Sequence, residues 1–367
     1  MRSPFDNNDK KMVKIEKHHD HCPPAPSKKI KVLFVLRDRS NYGMTGVSYG
    51  LKNSVFLITK ALEKYNIEFK IVETPDTNFV DKELYLFRPD FVIIEALWLL
   101  PNRLPIFFKL HPYIKKWSIR LHSRTPFLSN EGSAIDYIKQ YHEMSKINPN
   151  FNISVNHTEM VKELRYSLGF KPDYLPNIYP FEETCYTKDK HPDILDISSF
   201  GSIRPQKNIL IQAMAAIRFA DKCGKKLRFH VNDTRNEQRG ENTLKNLIAL
   251  FEGSKHTLIR HPWLNHSDFC QLVKTMDISM GVSNTESFCI TIMDAIANNV
   301  PVVVSDVIEI VSPIFRANPN EIDDIVDKLD NAYSTSFIHL QALNKQNLKK
   351  FNEKAIKEWL GWLDYKD

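Results

Sequence analysis

The stretch ISMGVSNTESFCITIMDAIANNVPVVV, residues 278–304, sets the reading of the whole chain. It opens on an apolar run that ends at Val282, turns through the polar residues 283–287, and continues as an apolar segment of helical length over about 289–298. It closes on a second apolar run at 300–304. Short, continuous apolar runs bounded by turn residues belong to parallel strands that are covered on both faces. The stretch is therefore one unit of alternating strand and helix.

The same alternation extends in both directions. Further strands of this series are expected at 196–200, 227–231 and 256–260, with helices near 208–221, 240–252, 267–275, 321–333 and 343–363. An earlier series places strands at 31–36, 68–72, 90–95, 117–122, 151–155 and 173–175, and helices near 51–65, 104–115, 134–144 and 158–168. Two such series predict an α/β protein built from two doubly wound parallel sheets, and 367 residues is a natural length for two domains. Residues 178–193 are rich in Pro, Glu and Lys, have no period and read as the connection. The expected division is then a disordered tail at 1–28, a first Rossmann-like domain at 29–177, a second at 194–340, and a final helical segment at 341–367. That last segment carries Trp359 and Trp362 and is expected to cross back onto the first domain.

Composition narrows the partners without naming one. A net charge of +6 and a pI near 8.8 suit a phosphate-rich ligand, an anionic membrane surface or a nucleic acid. Part of the excess sits in the tail, at Lys10, Lys11, Lys14 and Lys17. Lys and Arg are not interleaved with aromatics as in a nucleic-acid-binding stripe. Cys22, Cys185, Cys223, Cys270 and Cys289 are scattered, odd in number and without a C-x-x-C, which points to a reducing, cytoplasmic setting. The first 20 residues hold no apolar h-region, so no secretory signal is expected. No apolar run approaches the roughly 20 residues of a spanning helix, which leaves at most peripheral membrane contact. His18, His19, His21 and Cys22 are metal-capable residue types, but they lie in a segment with no expected scaffold.

Two turns carry chemistry. Residues 200–208, FGSIRPQKN, follow a strand and open a helix. Helix N-termini present free N–H groups to anions. Gly201 allows close backbone approach, and Arg204 and Lys207 add a forked and a point-like cation. A plain turn with solvated charges has the same composition. In the second turn, Glu286 precedes a helix on which Asp294 lies eight residues further on. Ligands of doubly wound sheets gather at such strand ends. The bland alternative makes Glu286 a helix N-terminal acid and Asp294 a surface charge. In the first half His122 ends a strand and is the leading catalytic candidate, with His111 and His157 as weaker rivals. Gly43, Gly46 and Gly50 mark a loop after the first strand.

Both turns resemble the donor half of the retaining GT-B glycosyltransferases of the group 1, or family 4, type, which includes glycogen-synthase-like and lipopolysaccharide-type sugar transferases. That family carries Gly-Arg-x-x-x-x-Lys-Gly and then Glu-Gly-Phe-Gly-x-x-x-x-Glu-Ala-x-Ala-x-Gly-x-Pro-Val. Gly201, Lys207, Glu286, Phe288, Ala295, Ala297, Pro301 and Val302 match in register, and Leu175-Pro176-Asn177 resembles the family's Ile-Pro-Asn. The family arginine is Ser202 here, the second acid is Asp294, and Ser287, Cys289 and Asn299 stand for glycines.

The resemblance implies a GT-B fold and sugar transfer from a nucleotide-sugar, with retention and without a catalytic metal or other cofactor. It implies that Lys207 and Arg204 hold the donor pyrophosphate beside Gly201 and that Glu286 contacts the donor sugar. Asp294 would accept the ribose hydroxyls, backbone N–H groups of Ser287 and Phe288 would complete the cradle, and His122 would line the cleft by the sugar. The loop of Gly43, Gly46 and Gly50 would face the acceptor, whose identity is not read from the residues; a glycan, a lipid-linked sugar and a modified DNA stay open. A non-catalytic relative that binds a nucleotide-sugar or partner, and a sugar-nucleotide epimerase, are the alternatives at this stage.

Overall fold

The computed structural model describes residues 29–38, 49–182, 191–334 and 338–366. Its first sheet holds β1 (Ile30–Arg37), β2 (Ile67–Thr74), β3 (Phe91–Glu95), β4 (Lys116–Leu121), β5 (Phe151–Val155) and β6 (Asp173–Tyr174). The second holds β7 (Ile194–Ser198), β8 (Lys226–Asn232), β9 (Thr257–His261), β10 (Ile278–Gly281), β11 (Val302–Ser305) and β12 (Arg316–Ala317). Their orders are β2-β1-β3-β4-β5-β6 and β12-β11-β10-β7-β8-β9. Every pairing in both sheets is parallel. The strands are apolar because helices cover them on both faces; Val32 to Leu36 and Val302 to Val304 are fully buried.

The helices are α1 (Tyr49–Leu62), α2 (Thr77–Phe87), α3 (Leu104–Leu110), α4 (Thr125–Leu128), α5 (Ala134–Ile147), α6 (Thr158–Leu168), α7 (Ile209–Lys222), α8 (Gly240–Phe251), α9 (His266–Lys274), α10 (Ile290–Ala297), α11 (Ile322–Tyr333) and α12 (Ile338–Trp362). Four elements differ from the sequence expectation: the two-residue edge strand β12 was not anticipated, and three helices depart from it. Helix α2 was not anticipated. It starts at Asp76, whose carboxylate accepts from the N–H groups of Asn78 and Phe79 at 2.8 and 3.2 Å, and it buries Val80 and Leu84. Helix α3 stops at Leu110 instead of continuing to 115, because His111 precedes Pro112 and that position disfavours helical backbone. The short α4, at the mouth of the first sheet, was also unforeseen.

Helix α12 touches both halves. Leu348 belongs to the core around the second sheet, whereas Ala355, Trp359 and Leu363 at its C-terminal end belong to the core on one face of the first. Trp359 packs on Phe34 at 5.8 Å between ring centres and donates from Nε1 to the Pro176 carbonyl at 2.8 Å. Trp362 packs on Phe91 at 5.5 Å and donates to Asp173. Near the connection, the backbone of Tyr179 pairs with the Asn352 amide of α12 in both directions, at 3.0 and 2.7 Å. Among the described residues no helix is long and apolar enough to cross a membrane.

In each sheet the first strand sits inside, so chain order reverses beside it: between β1 and β3, and between β7 and β10. Loops leaving the C-terminal ends of these strands diverge and leave a crevice.

Candidate active site

A cavity of about 600 Å³ opens between the two halves. From the first half it is bordered by Gly50, His122 and Asn177, and from the second by Gly201, Arg204, Lys207, Glu286, Ser287, Phe288 and Asp294. These candidates from both halves therefore line one space, whereas the weaker candidates His111 and His157 do not; Gly43 and Gly46 lie outside the described residues.

The second-half wall is assembled at the β7/β10 reversal. β7 leads to Gly201, whose φ of 121° lies in the region that favours glycine. A short 3-10 turn, Pro205–Lys207, then delivers Lys207. β10 leads to Glu286. Buried side chains brace these two loops together: Asn208 Nδ2 donates to the carbonyls of Val282 and Pro319 at 3.2 and 2.7 Å. Gln212 accepts from the Val282 N–H at 3.1 Å and donates to the Lys207 carbonyl at 2.7 Å. Lys207 Nζ consequently meets Glu286 Oε2 in a direct ion pair. Burial would raise the Glu286 carboxyl, but Lys207, Arg204, and hydrogen bonds from Lys207 and the Ser287 N–H outweigh it and hold it below the usual range. Burial likewise opposes the Lys207 ammonium, and Cys289 with Glu286 outweighs that and raises it. Both groups are charged at neutral pH.

Arg204 reaches across the cleft. Its guanidinium lies 4.8 Å from the centre of the Phe127 ring on α4 and 3.5 Å from Glu237, and its Nε is buried without a partner. A buried donor left unpaired is costly, so this wall suits an anion. Asn156 of the first half donates to Ser287 Oγ at 3.2 Å, a second bridge across the cleft. The Phe288 ring stacks on Phe351 of α12 at 5.7 Å.

Asp294 is not a surface charge. It lies in the second turn of α10, is 1% exposed, and its Oδ1 accepts from Tyr179 Oη and lies 2.6 Å from His266 Nε2. Among the described residues Oδ2 has no hydrogen-bond partner. The pairing with Asp294 and with Cys270 raises the His266 imidazole to about 10.

On the opposite wall His122 follows β4. Register explains its partners. Glu95 lies opposite Arg120 in the β3/β4 pairing, and His122, two residues beyond Arg120, points to the same side of the strand line. Fully buried Glu95 meets His122 Nε2 in a short contact and takes Arg120 Nη1 at 3.3 Å. Arg120 also donates to the Leu175 carbonyl at 2.9 Å and to Asn177 at 2.5 Å, and Ser54 donates to Asn177 at 2.7 Å. Burial pushes the His122 imidazole below its usual value, Glu95 opposes that, and Arg120 adds to the lowering. Burial would raise Glu95, and Arg120 and His122 hold it low. The two rivals are structural. His111 bonds Asp81 at 2.7 Å and Tyr113 at 3.1 Å, and His157 caps α6 by accepting from the Glu159 N–H at 3.2 Å; neither borders the cavity.

Glu95, His266 and Tyr179 were missed by sequence. Glu95 alone left a trace: an acid closing one apolar strand, and a basic residue near the end of the next.

Two facing parallel sheets with a shared crevice at their chain reversals are the GT-B architecture. Residues 188–351 match the family described as "Glycosyl transferases group 1". That match makes the second half of the chain similar to the group 1 glycosyltransferases, and the fold of the whole agrees with it. No curated protein matches the sequence. Among solved structures, sucrose-phosphate synthase from Thermosynechococcus elongatus is 12% identical with a TM-score of 0.64, covering 91% of this chain and 98% of its own. A UDP-forming α,α-trehalose-phosphate synthase from Burkholderia xenovorans is 12% identical with a TM-score of 0.60, covering 90% and 98%. A point mutant of S. aureus TarM, in complex with fondaparinux, α-GlcNAc-glycerol and UDP, is 13% identical with a TM-score of 0.58. The match covers 76% of this chain and only 57% of TarM.

Proposed function

We propose that this glycosyltransferase takes a sugar from a nucleotide-sugar held mainly by its second half and passes it, with retention, to an acceptor entering from the first. The observation that carries the proposal is the meeting of Lys207, Arg204 and Glu286 at the β7/β10 reversal, with His122 on the facing wall. In this assignment Lys207 and the unpaired Nε of Arg204 take the pyrophosphate, where negative charge grows as the diphosphate leaves. The approach to Gly201 stays open because no Cβ is present. Glu286, once the donor draws Lys207 toward phosphate, turns to the hydroxyls of the sugar. The Phe288 N–H and the first turn of α10 complete the cradle; the Ser287 N–H already serves Glu286. Asp294 offers Oδ2 to the ribose.

Neutral His122 donates Nε2–H to Glu95 and leaves Nδ1 as an acceptor beside the sugar. With two fixed cations at the leaving group, transfer needs no divalent ion. The described residues of 29–177, with Gly50 at the rim, form the acceptor side and those of 194–340 the donor side; the final helix returns to the first sheet from Ala355 onward. Cys223, Cys270 and Cys289 are free thiols, in keeping with a cytoplasmic enzyme. Closing the cleft would exclude water and favour transfer over hydrolysis.

The test is product analysis: with the accepted donor, NMR should show the donor's anomeric configuration in the product, and turnover should survive EDTA. An inverted linkage, or loss in EDTA restored by manganese, contradicts the proposal.

A further inference from the structure

Where α9 meets α10, three side chains of different chemistry converge. His266 and Cys270 lie four residues apart on α9, hence on one face, and turn toward Asp294 on α10. His266 Nε2 is 2.6 Å from Asp294 Oδ1, and Cys270 Sγ is 3.7 Å from that nitrogen and 3.8 Å from that oxygen. The three atoms form a closed triangle at the cavity wall, since His266 and Asp294 both border the cavity.

We propose that His266, Cys270 and Asp294 form a site for a thiol-seeking divalent cation, Zn²⁺ foremost. Imidazole nitrogen, thiolate sulfur and carboxylate oxygen are zinc's donor set, and hard oxygen-seeking ions such as Mg²⁺ do not choose a thiolate. Zinc bonds of about 2.0–2.2 Å to N and O and about 2.3 Å to S, at tetrahedral angles, separate the ligand atoms by about 3.3–3.6 Å. Both sulfur edges of the triangle already have nearly that length. The His–Asp edge, now closed by a hydrogen bond, opens by about 0.7 Å to admit the ion. Tyr179 Oη, donating to the same carboxylate, is the outer partner that holds Asp294 in place. The fourth position faces the cavity and takes water. On binding, the Cys270 thiol and the His266 imidazolium each give a proton to solvent, so that sulfur bonds the metal as thiolate and Nε2 as a neutral nitrogen. A simple His–Asp ion pair would account for two corners of the triangle and leave the thiol at the third without a purpose.

A metal here engages the carboxylate assigned to the ribose and so opposes donor binding. That consequence rests on the donor assignment, whereas the site itself does not.

The experiment uses the full chain titrated with Co²⁺ and Zn²⁺. The expected result is one Co²⁺ with a thiolate-to-metal charge-transfer band and tetrahedral d–d bands, displaced by Zn²⁺. Cys270→Ser should abolish the band and weaken Zn²⁺ roughly 100-fold or more, and Tyr179→Phe should weaken it roughly 10-fold, the scale of losses at a metal's outer partner. Cys22→Ser, in the N-terminal His/Cys cluster, and Cys223→Ser should keep the band. A band that survives in Cys270→Ser with an unchanged melting temperature, or that disappears in Cys22→Ser, overturns the proposal. So does the absence of any charge-transfer band in the parent chain.

Discussion

An ion pair and a histidine–carboxylate contact face each other across the cleft, and each is set by strand position. Lys207–Glu286 stands at the reversal beside β7, and His122–Glu95 stands at the end of β4 beside β3. Their chemistry differs. The first is a charge pair that a phosphate can rearrange; the second holds an imidazole in one tautomer. Glu286→Gln keeps the shape but not the charge. It should leave nucleoside-diphosphate affinity within about threefold while lowering turnover roughly 100-fold or more, the scale of lost transition-state stabilisation. Steady-state rates beside binding calorimetry check this; an unchanged turnover would remove Glu286 from the chemistry.

The histidine gives a pH signature. Burial sets the folded pKa of His122 below the unfolded value of about 6.5. Between these two values the unfolded chain binds the extra proton and the folded one does not. Stability is therefore fully present above about pH 6.5 and falls as pH drops through that window. Glu95, also depressed, adds loss of the same sign further down, below its usual carboxylate range. Urea unfolding at several pH values should show a smaller loss between pH 7 and 5 in His122→Gln than in the parent. Equal losses would mean that His122 is not held neutral by burial.

At the scale of elements, the alternation of strands and helices was legible because buried parallel strands must be continuously apolar. β5 and α6, for instance, are found at the residues expected, 151–155 and 158–168. What was illegible lay where local signals are faint or long-range. Helix α2 carries only Val80 and Leu84 as a buried stripe, and its clearest mark is the Asp76 cap. The acid eight residues after Glu286 could be located in sequence, but not its burial, which depends on Tyr179 from the connection and His266 from α9. The His122 network depends on β3/β4 register, which no local pattern encodes. Trp359 was legible as an anchor, and its packing gives a prediction. Fully buried against Phe34 and bonded to the Pro176 carbonyl, it should lose about 3–5 kcal/mol when changed to Ala. Chemical denaturation measures this, and a loss under about 1 kcal/mol would mean that α12 is not fastened there.

For the whole molecule, the cleft is lined by both halves, and Arg204–Phe127 and Asn156–Ser287 already span it. A ligand that binds only the folded cleft at about 100 times its Kd adds about 2.7 kcal/mol to stability. A melting screen over nucleoside diphosphates and nucleotide-sugars will therefore reveal the base and sugar by the largest rise. With the preferred diphosphate in hand, calorimetry on the parent and on Lys207→Ala is the most direct test of a donor site at the β7/β10 reversal. A charge-assisted contact is worth about 1.5–3 kcal/mol, so the variant should bind roughly 10- to 150-fold more weakly while still melting as a folded protein. Equal affinity in the two proteins would contradict it.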